Sequence, residues 1–188
     1  MLTLKANETA LVLIDLQNGI LALPTQPYSS EHCLQQGKNL AQQFRDNGSP
    51  VVLVNVGWHD DYGDVPGNEV DSPTQRPEGG MPEGWSELAE GLSQPNDLRV
   101  TKRQWGAFTG TELDLQLRRR GIKNIVIGGI ATNMGVESTV RHGWELGYNM
   151  VVLEDACSGL DTDLHQSVFK QIFPKIAKVA TTKTFTLR

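Results

Sequence analysis

The amino-acid sequence predicts an α/β fold built around a doubly wound, mostly parallel β-sheet. Short runs of apolar, often β-branched residues recur along the 188-residue chain, and polar residues bound them. Such continuous runs are typical of strands buried on both faces, as in a parallel sheet. Amphipathic helical patterns fall between the runs. Alternating strands and helices form right-handed crossovers that cover both faces of a sheet.

The predicted strands follow from these runs. The strongest runs are residues 10–14, 51–56, 124–130 and 150–153, and two weaker ones are residues 98–101 and 177–180.

Helices are predicted in the intervals, each ending at a glycine or before a proline, residues that favour helix termination. The predicted helices cover residues 30–47, before Gly48; 111–121, ending at Gly121; 132–146, before Gly147; and 161–173, before Pro174.

The connection at residues 57–96 differs from the rest of the chain. It is rich in Pro, Gly, Asp and Glu, and connections of this length are usually functional or partly mobile. We expect one short helix within it, near residues 85–91. Because no internal repeat or domain boundary is evident, residues 1–188 are expected to form a single domain.

Composition and charge narrow the class of protein. With 38% hydrophobic and 21% charged residues, the chain is similar to globular proteins rather than to disordered or fibrous ones. The formal net charge is -5, and the basic cluster at residues 118–120 is too small for a nucleic-acid footprint. No signal-like or bilayer-spanning apolar run is evident, so we expect a cytoplasmic protein with no membrane partner.

Polar residues follow three of the predicted strands, and ligands in such sheets bind beyond the carboxyl ends of strands. The first is Asp15, which directly follows a buried strand and is followed in turn by Gln17. Desolvation on one side raises the pKa of a carboxylic acid and favours proton transfer. An aspartate that only hydrogen-bonds the turn before Gly19 explains the pattern equally well.

The second segment places Lys102 after a short strand and before two aromatic residues, Trp105 and Phe108. Lys102 is a candidate partner for Asp15 or for an anionic substrate. Trp105 and Phe108 are candidate walls of a small pocket. A solvated lysine and two core aromatic residues are the alternative.

The third segment, residues 128–139, has the pattern of a strand, a tight turn and the start of a helix. Because unpaired N–H groups at such a terminus bind an oxyanion or a carboxylate, Ala131, Thr132, Asn133 and Gly135 are candidate substrate-binding residues. A plain strand-to-helix turn, in which Gly135 permits close packing, is the alternative.

Together these segments resemble the isochorismatase-like hydrolases, also called the cysteine hydrolase family, over nearly the whole chain. The matching segments are residues 14–17, Lys102 with 108–111, 129–139 and 154–157. The resemblance implies a three-layer α/β/α sandwich with a six-stranded, mostly parallel sheet. It also implies a cis peptide bond between Ile130 and Ala131 that shapes an anion-binding hole, substrate binding by Gln17, and a homo-oligomer, either dimer or tetramer.

The chain departs from the amidases of this family at their nucleophile. By resemblance, Asp15 and Lys102 belong to an Asp–Lys–Cys triad, but Gly135 occupies the cysteine position. Isochorismatases likewise lack that cysteine, and they cleave an enol ether, which requires protonation of carbon. Asp15 is then the general acid and water captures the resulting cation, although the nearby Lys102 favours ionised Asp15.

Neither a metal nor a thiol is expected to take part. Nicotinamidases of this family bind a metal after their second strand, where this chain has a single histidine, His59, beside Asp60 and Asp61. Cys33 lies inside the first predicted helix and carries no catalytic signal, and Cys157, which follows the fifth predicted strand, is expected to be a structural residue rather than a displaced nucleophile. We therefore expect no metal and no other cofactor.

Two functions remain open. The leading hypothesis is a hydrolase of a small, anionic organic molecule, with enol-ether cleavage favoured over amide hydrolysis. The alternative is a non-catalytic binding or regulatory member of the family that lost activity with the cysteine. A nicotinamide-cofactor dehydrogenase is disfavoured, because no Gly-x-Gly-x-x-Gly turn follows the first predicted strand.

Overall fold

The computed structural model describes residues 1–73 and 77–188. The strands within them are β1 (Leu2–Leu4), β2 (Thr9–Ile14), β3 (Val51–Val56), β4 (Leu98–Lys102), β5 (Asn124–Ile130), β6 (Asn149–Ser158), β7 (Lys178–Ala180) and β8 (Phe185–Leu187). The α-helices are α1 (Asn18–Leu21), α2 (Ser30–Asp46), α3 (Leu113–Arg119), α4 (Glu137–Glu145), α5 (Thr162–Ser167) and α6 (Phe173–Ile176). A 3₁₀ turn at Ala6–Glu8 and π-helical turns at Thr132–Val136 and Val168–Ile172 lie between them.

The central feature is a six-stranded parallel sheet in the order β4-β3-β2-β5-β6-β7. The short strands β1 and β8 pair separately and were not predicted. From β2 the chain builds outward first through β3 and β4, and then in the other direction through β5, β6 and β7. The order therefore reverses between β2 and β5, and ligand-binding crevices form at such a switch point.

Both faces of the sheet are buried. Successive side chains of a strand point to opposite sides, so neighbouring residues of one strand belong to different clusters. On β2, Val12 and Ile14 join one apolar cluster, whereas Leu11 and Leu13 join the other. Residues of α3, α4 and α6 complete the first cluster, and α2 packs on the second. This arrangement confirms the predicted three-layer α/β/α sandwich.

The prediction of a short helix near residues 85–91 is wrong. The chain forms turns there, and Leu88 pairs with Gln17 in an isolated antiparallel bridge. The indole of Trp85 packs on Gly19 so closely that a side chain at that glycine would overlap it. These long-range contacts outweigh the weak intrinsic preference of such a short segment for a helix.

Two other predicted helices are divided. The helix expected at residues 132–146 begins as the π-helical turn Thr132–Val136 before α4, and the one expected at 161–173 passes from α5 into a second π-helical turn. Strand β6 extends to Ser158 and has a register shift against β5. Single π-helical turns are frequent at functional sites, and the first one directly follows the carboxyl end of β5.

Candidate active site

Asp15 lies at the carboxyl edge of the sheet, directly after β2 and beside the switch point. Its φ of 52° is in the left-handed region, which non-glycine residues rarely adopt. Its N–H donates to the carbonyl of Val54 on β3 at 2.9 Å. On the other side Gly129 has a φ of 127°, and a side chain there would overlap the backbone of Ile14. Such a conformation at Asp15 costs about 1–3 kcal/mol and is found mainly at functional sites.

Lys102 reaches Asp15 across the end of β3. It is the last residue of β4, two strands away from β2 in the sheet. Its Nζ donates to Oδ2 of Asp15 at 2.7 Å, and the two side chains are only 2% and 7% exposed. The structure thus brings together the two residues predicted to be catalytic.

Burial dominates the electrostatics of this pair. Desolvation raises the pKa of Asp15 to about 6, against the attraction and hydrogen bond of Lys102, which lower it. Oδ1 of Asp15 is buried and has no hydrogen-bond partner within the described residues. Asp15 therefore retains a protonated fraction near neutral pH, and its Oδ1 atom is not taken up by any group in the described parts of the chain.

Gly135 borders this carboxyl group. A Cβ at that position would lie 3.0 Å from Cγ2 of Ile14, 3.3 Å from Oδ2 of Asp15 and 3.3 Å from the carbonyl oxygen of Trp105. All three segments predicted to form the site thus converge. The position at which the resemblance implies a cysteine nucleophile is next to the Asp15–Lys102 pair, and glycine leaves it without a reactive group.

The π-helical turn Thr132–Val136 presents backbone N–H groups beside Gly135. The Ile130–Ala131 peptide bond before it is cis, as the resemblance implied. The N–H groups of Met134 and Val136 donate to the carbonyl of Ala131, at 3.1 and 3.2 Å, whereas that of Asn133 has no acceptor within residues 1–73 and 77–188. Unpaired N–H groups of this kind attract anions.

Two predicted substrate-binding residues make defined contacts within the protein. Gln17 is fully buried, and its side-chain amide exchanges hydrogen bonds with the backbone of Val56 and donates to the carbonyl of Trp85. Phe108 is in the apolar core, where its ring stacks on Tyr148 at 5.9 Å. The amide of Gln17 is occupied by the backbone and Phe108 faces the core, and a substrate contact of either residue stays a prediction.

The remaining predicted residues differ in their exposure. Trp105 is 56% exposed, and Ala131 and Asn133 are partly exposed. Thr132 is fully buried, and its hydroxyl group is hydrogen-bonded to Nδ1 of His165 at 2.8 Å. Thr132 therefore contacts the protein core through its side chain, and only its backbone belongs to the turn.

An aromatic pair that was not predicted from the sequence lies close to this edge of the sheet. Trp58 follows β3, the strand between β2 and β4, and its ring stacks on Trp85 at 5.7 Å with an interplanar angle of 24°. The indole N–H of Trp58 donates at 2.8 Å to the carbonyl of Arg103, the residue after Lys102. Two tryptophans in the long polar connection were the available signal, but their pairing depends on the folded chain.

Cys33 and Cys157 are both free and fully buried. Burial raises the pKa of the Cys33 thiol to about 12 and that of Cys157 well above its usual range. Since the thiolate is the reactive form, neither thiol is activated at neutral pH.

The described residues contain no group of three or more His, Cys, Asp or Glu side chains arranged to hold a metal ion. His59 is exposed and lies 3.9 Å from a carboxylate oxygen of Asp64.

Among residues 1–73 and 77–188, no helix has the length and apolar character needed to cross a membrane.

Comparisons with known proteins agree with this geometry. The family model described as the isochorismatase domain matches residues 9–184. The isochorismatase family protein YecD of Escherichia coli O157:H7 is 48% identical over 180 residues, 95% of either chain. Ureidoacrylate amidohydrolase RutB of Stutzerimonas stutzeri is 37% identical and is aligned over 82% of this chain and 71% of its own. A solved isochorismatase family protein from Burkholderia thailandensis superposes with a TM-score of 0.91 and 47% identity, covering 96% of this chain and 94% of that one.

Proposed function

The chain belongs to the isochorismatase family of hydrolases, and on that premise we propose that it hydrolyses a small, anionic enol ether with Asp15 as the general acid. One observation carries the proposal, namely the buried Asp15 carboxyl group beside Gly135. Its raised pKa and unpaired Oδ1 suit proton donation, and the adjoining position holds no nucleophile.

The proposed reaction begins with proton transfer from Asp15 to the terminal carbon of the substrate's double bond. The ether oxygen stabilises the resulting cation on the adjacent carbon. Water adds to that carbon, and its released proton returns to Asp15. The hemiketal then collapses to a ketone and an alcohol, so the net reaction consumes one water molecule and restores the acid.

Lys102 has a defined part in this scheme. Its hydrogen bond to Oδ2 leaves Oδ1 as the oxygen that carries the transferable proton. When the proton leaves, Asp15 becomes negative with an ammonium group 2.7 Å away in a buried site. The interaction therefore strengthens as charge develops, which is the requirement for stabilising a transition state rather than a ground state.

The substrate's negative charge is assigned to the turn Thr132–Val136, which we call the anion-binding turn. The unpaired N–H group of Asn133 and the neighbouring N–H group of Gly135 are the proposed donors to a substrate carboxylate. The stacked rings of Trp58 and Trp85 lie on the neighbouring connection and favour a flat, unsaturated substrate.

Amide hydrolysis is the less favoured chemistry. A relative named ureidoacrylate amidohydrolase points to an amide substrate for that protein. In this chain an acyl-enzyme at position 135 is impossible without a side chain, and both thiols are buried in their protonated form. An enol ether requires an acid and water but no nucleophilic side chain.

A turnover screen tests the proposal. Isochorismate, nicotinamide and an N-carbamoyl amino acid are offered to the native protein, to Asp15→Asn and to Asp46→Asn, a matched change at an exposed position of α2. We expect native protein and Asp46→Asn to consume isochorismate alone, and Asp15→Asn to lose that activity. Ammonia release from either amide by native protein would contradict the proposal. A folded protein that binds these compounds and converts none would favour the non-catalytic alternative.

A further inference from the structure

A buried histidine that takes no part in the proposed chemistry contacts the anion-binding turn. His165, on α5, is 1% exposed, and its Nδ1 lies 2.8 Å from the hydroxyl oxygen of the fully buried Thr132. Helix α5 is capped by Asp161, whose carboxylate accepts the N–H of Leu164 at 2.8 Å. A separate, capped segment thus holds the imidazole against the first residue of the turn.

The pairing determines which atoms carry protons. In the described parts of the chain the Thr132 hydroxyl has only His165 as a partner, and Nε2 of His165 has none. If Thr132 donates to Nδ1, a single N–H stays unpaired. If Nδ1 carries the proton instead, both the hydroxyl proton and the Nε2 lone pair stay unpaired. Each unpaired buried polar group costs free energy, so the first arrangement is favoured, with a neutral ring protonated on Nε2.

Two further observations support this arrangement. Burial lowers the pKa of His165 to about 4, which keeps the ring neutral at physiological pH. The ring is also enclosed by aromatic neighbours, with the centroid of Phe169 at 4.7 Å and that of Tyr28 at 6.2 Å. The imidazole is therefore a fixed acceptor that packing prevents from turning away.

We propose that His165 is a positioning residue, which holds the anion-binding turn through Thr132 so that the N–H groups of Asn133 and Gly135 stay directed at a carboxylate. The N–H group of Asn133 has no acceptor in the described residues, so the turn lacks that backbone hydrogen bond. A buried side-chain hydrogen bond to its first residue then contributes a large share of its rigidity. The inference rests on the proposed function only in assigning an anionic ligand to this turn.

Nuclear magnetic resonance of the uniformly ¹⁵N-labelled protein provides the first test. We expect the His165 ring to be protonated on Nε2, unprotonated on Nδ1 and unchanged in charge from pH 8 down to about pH 5, given its lowered pKa. This measurement needs no variant and no substrate. A proton on Nδ1, or a ring that becomes charged near pH 6.5, would overturn the inference.

The second test measures the affinity for benzoate, a flat carboxylate, from the amide resonances of Asn133 and Gly135. Thr132→Val and His165→Leu remove the hydrogen bond, and each is expected to weaken benzoate binding about tenfold. The double variant is expected to bind no more weakly than either single one, because both remove the same interaction. Thr132→Ser restores the hydroxyl, and His165→Asn places an amide where Nδ1 was, so both are expected to recover most of the affinity.

The outcomes separate this inference from the proposed reaction. These resonances report the folded molecules only, so a loss of stability alone leaves the dissociation constant unchanged. Native affinity in Thr132→Val, or no benzoate-induced shift at the turn of the native protein, would refute the positioning role. A native protein that binds benzoate at the turn but converts no enol ether would refute the proposed reaction and leave the role of His165 standing.

Discussion

Asp15→Asn removes the transferable proton at the candidate site while keeping the shape of the side chain. General acids contribute about 10²–10⁴-fold to reaction rates, so turnover of an enol ether is expected to fall by that range. The amide oxygen still accepts a hydrogen bond from Lys102, which holds the side chain in place. Steady-state turnover of isochorismate, with Asp46→Asn as the matched control, measures the loss.

The same substitution is expected to stabilise the fold at neutral pH. The pKa of Asp15 rises from 3.8 to about 6 in the folded state, so its contribution to stability is fully present below about pH 4 and is lost as the pH rises through 6. A rise of this size lowers the free energy of unfolding by about 3 kcal/mol once the pH is well above 6. Asparagine cannot ionise, so Asp15→Asn avoids the loss. We expect an increase of about 1–3 kcal/mol at pH 7 and little change at pH 4.

Urea denaturation followed by tryptophan fluorescence measures this effect at both pH values. A more stable but inactive protein is the expected result, since active sites often retain groups that destabilise the fold. Near-normal turnover in Asp15→Asn would refute the catalytic assignment. Unfolding of Asp15→Asn at pH 7 would instead show that ionised Asp15 stabilises the protein through Lys102, contrary to the dominance of desolvation.

Other predictions concern the rest of the site. The value of kcat/KM for an enol ether is expected to fall as the pH rises above about 6, because Asp15 loses its proton there; a rate that rises with pH would contradict the acid role. Lys102→Met is expected to lower kcat and to move this decline to higher pH, because Lys102 lowers the pKa of Asp15; an unmoved profile would show that the two groups are not coupled. Gly135→Ala places a methyl group 3.3 Å from Oδ2 of Asp15 and is expected to reduce turnover about tenfold or more. Gly106→Ala serves as the control, because the atom nearest to its added methyl group is 3.6 Å away. Iodoacetamide is expected to leave turnover unchanged because both cysteines are fully buried; two labels per chain after denaturation would verify the reagent, and inactivation of the folded protein would revive thiol chemistry.

The sequence was sufficient for the sheet and for the central pair of the site. Strands such as β2, β3 and β5 consist of continuous apolar runs, and in a parallel sheet such strands have both faces covered by layers of helices. Parallel strands end at a common edge. Polar residues directly after them, Asp15 and Lys102 among them, are therefore brought together by the topology alone.

The tertiary structure decided what each remaining side chain does. Gln17 and Phe108 lie within the matching segments, but the amide of Gln17 is hydrogen-bonded to the backbone of Val56 and the ring of Phe108 packs in the core. Trp58 pairs with Trp85, and Thr132 with His165 over 33 positions. Periodicity along the chain reports which face of an element is apolar, but the partner that a side chain meets is set by long-range packing. That packing exists only once the layers have closed, and for this reason the sequence predicted the edge where the site lies but not the residues that support it.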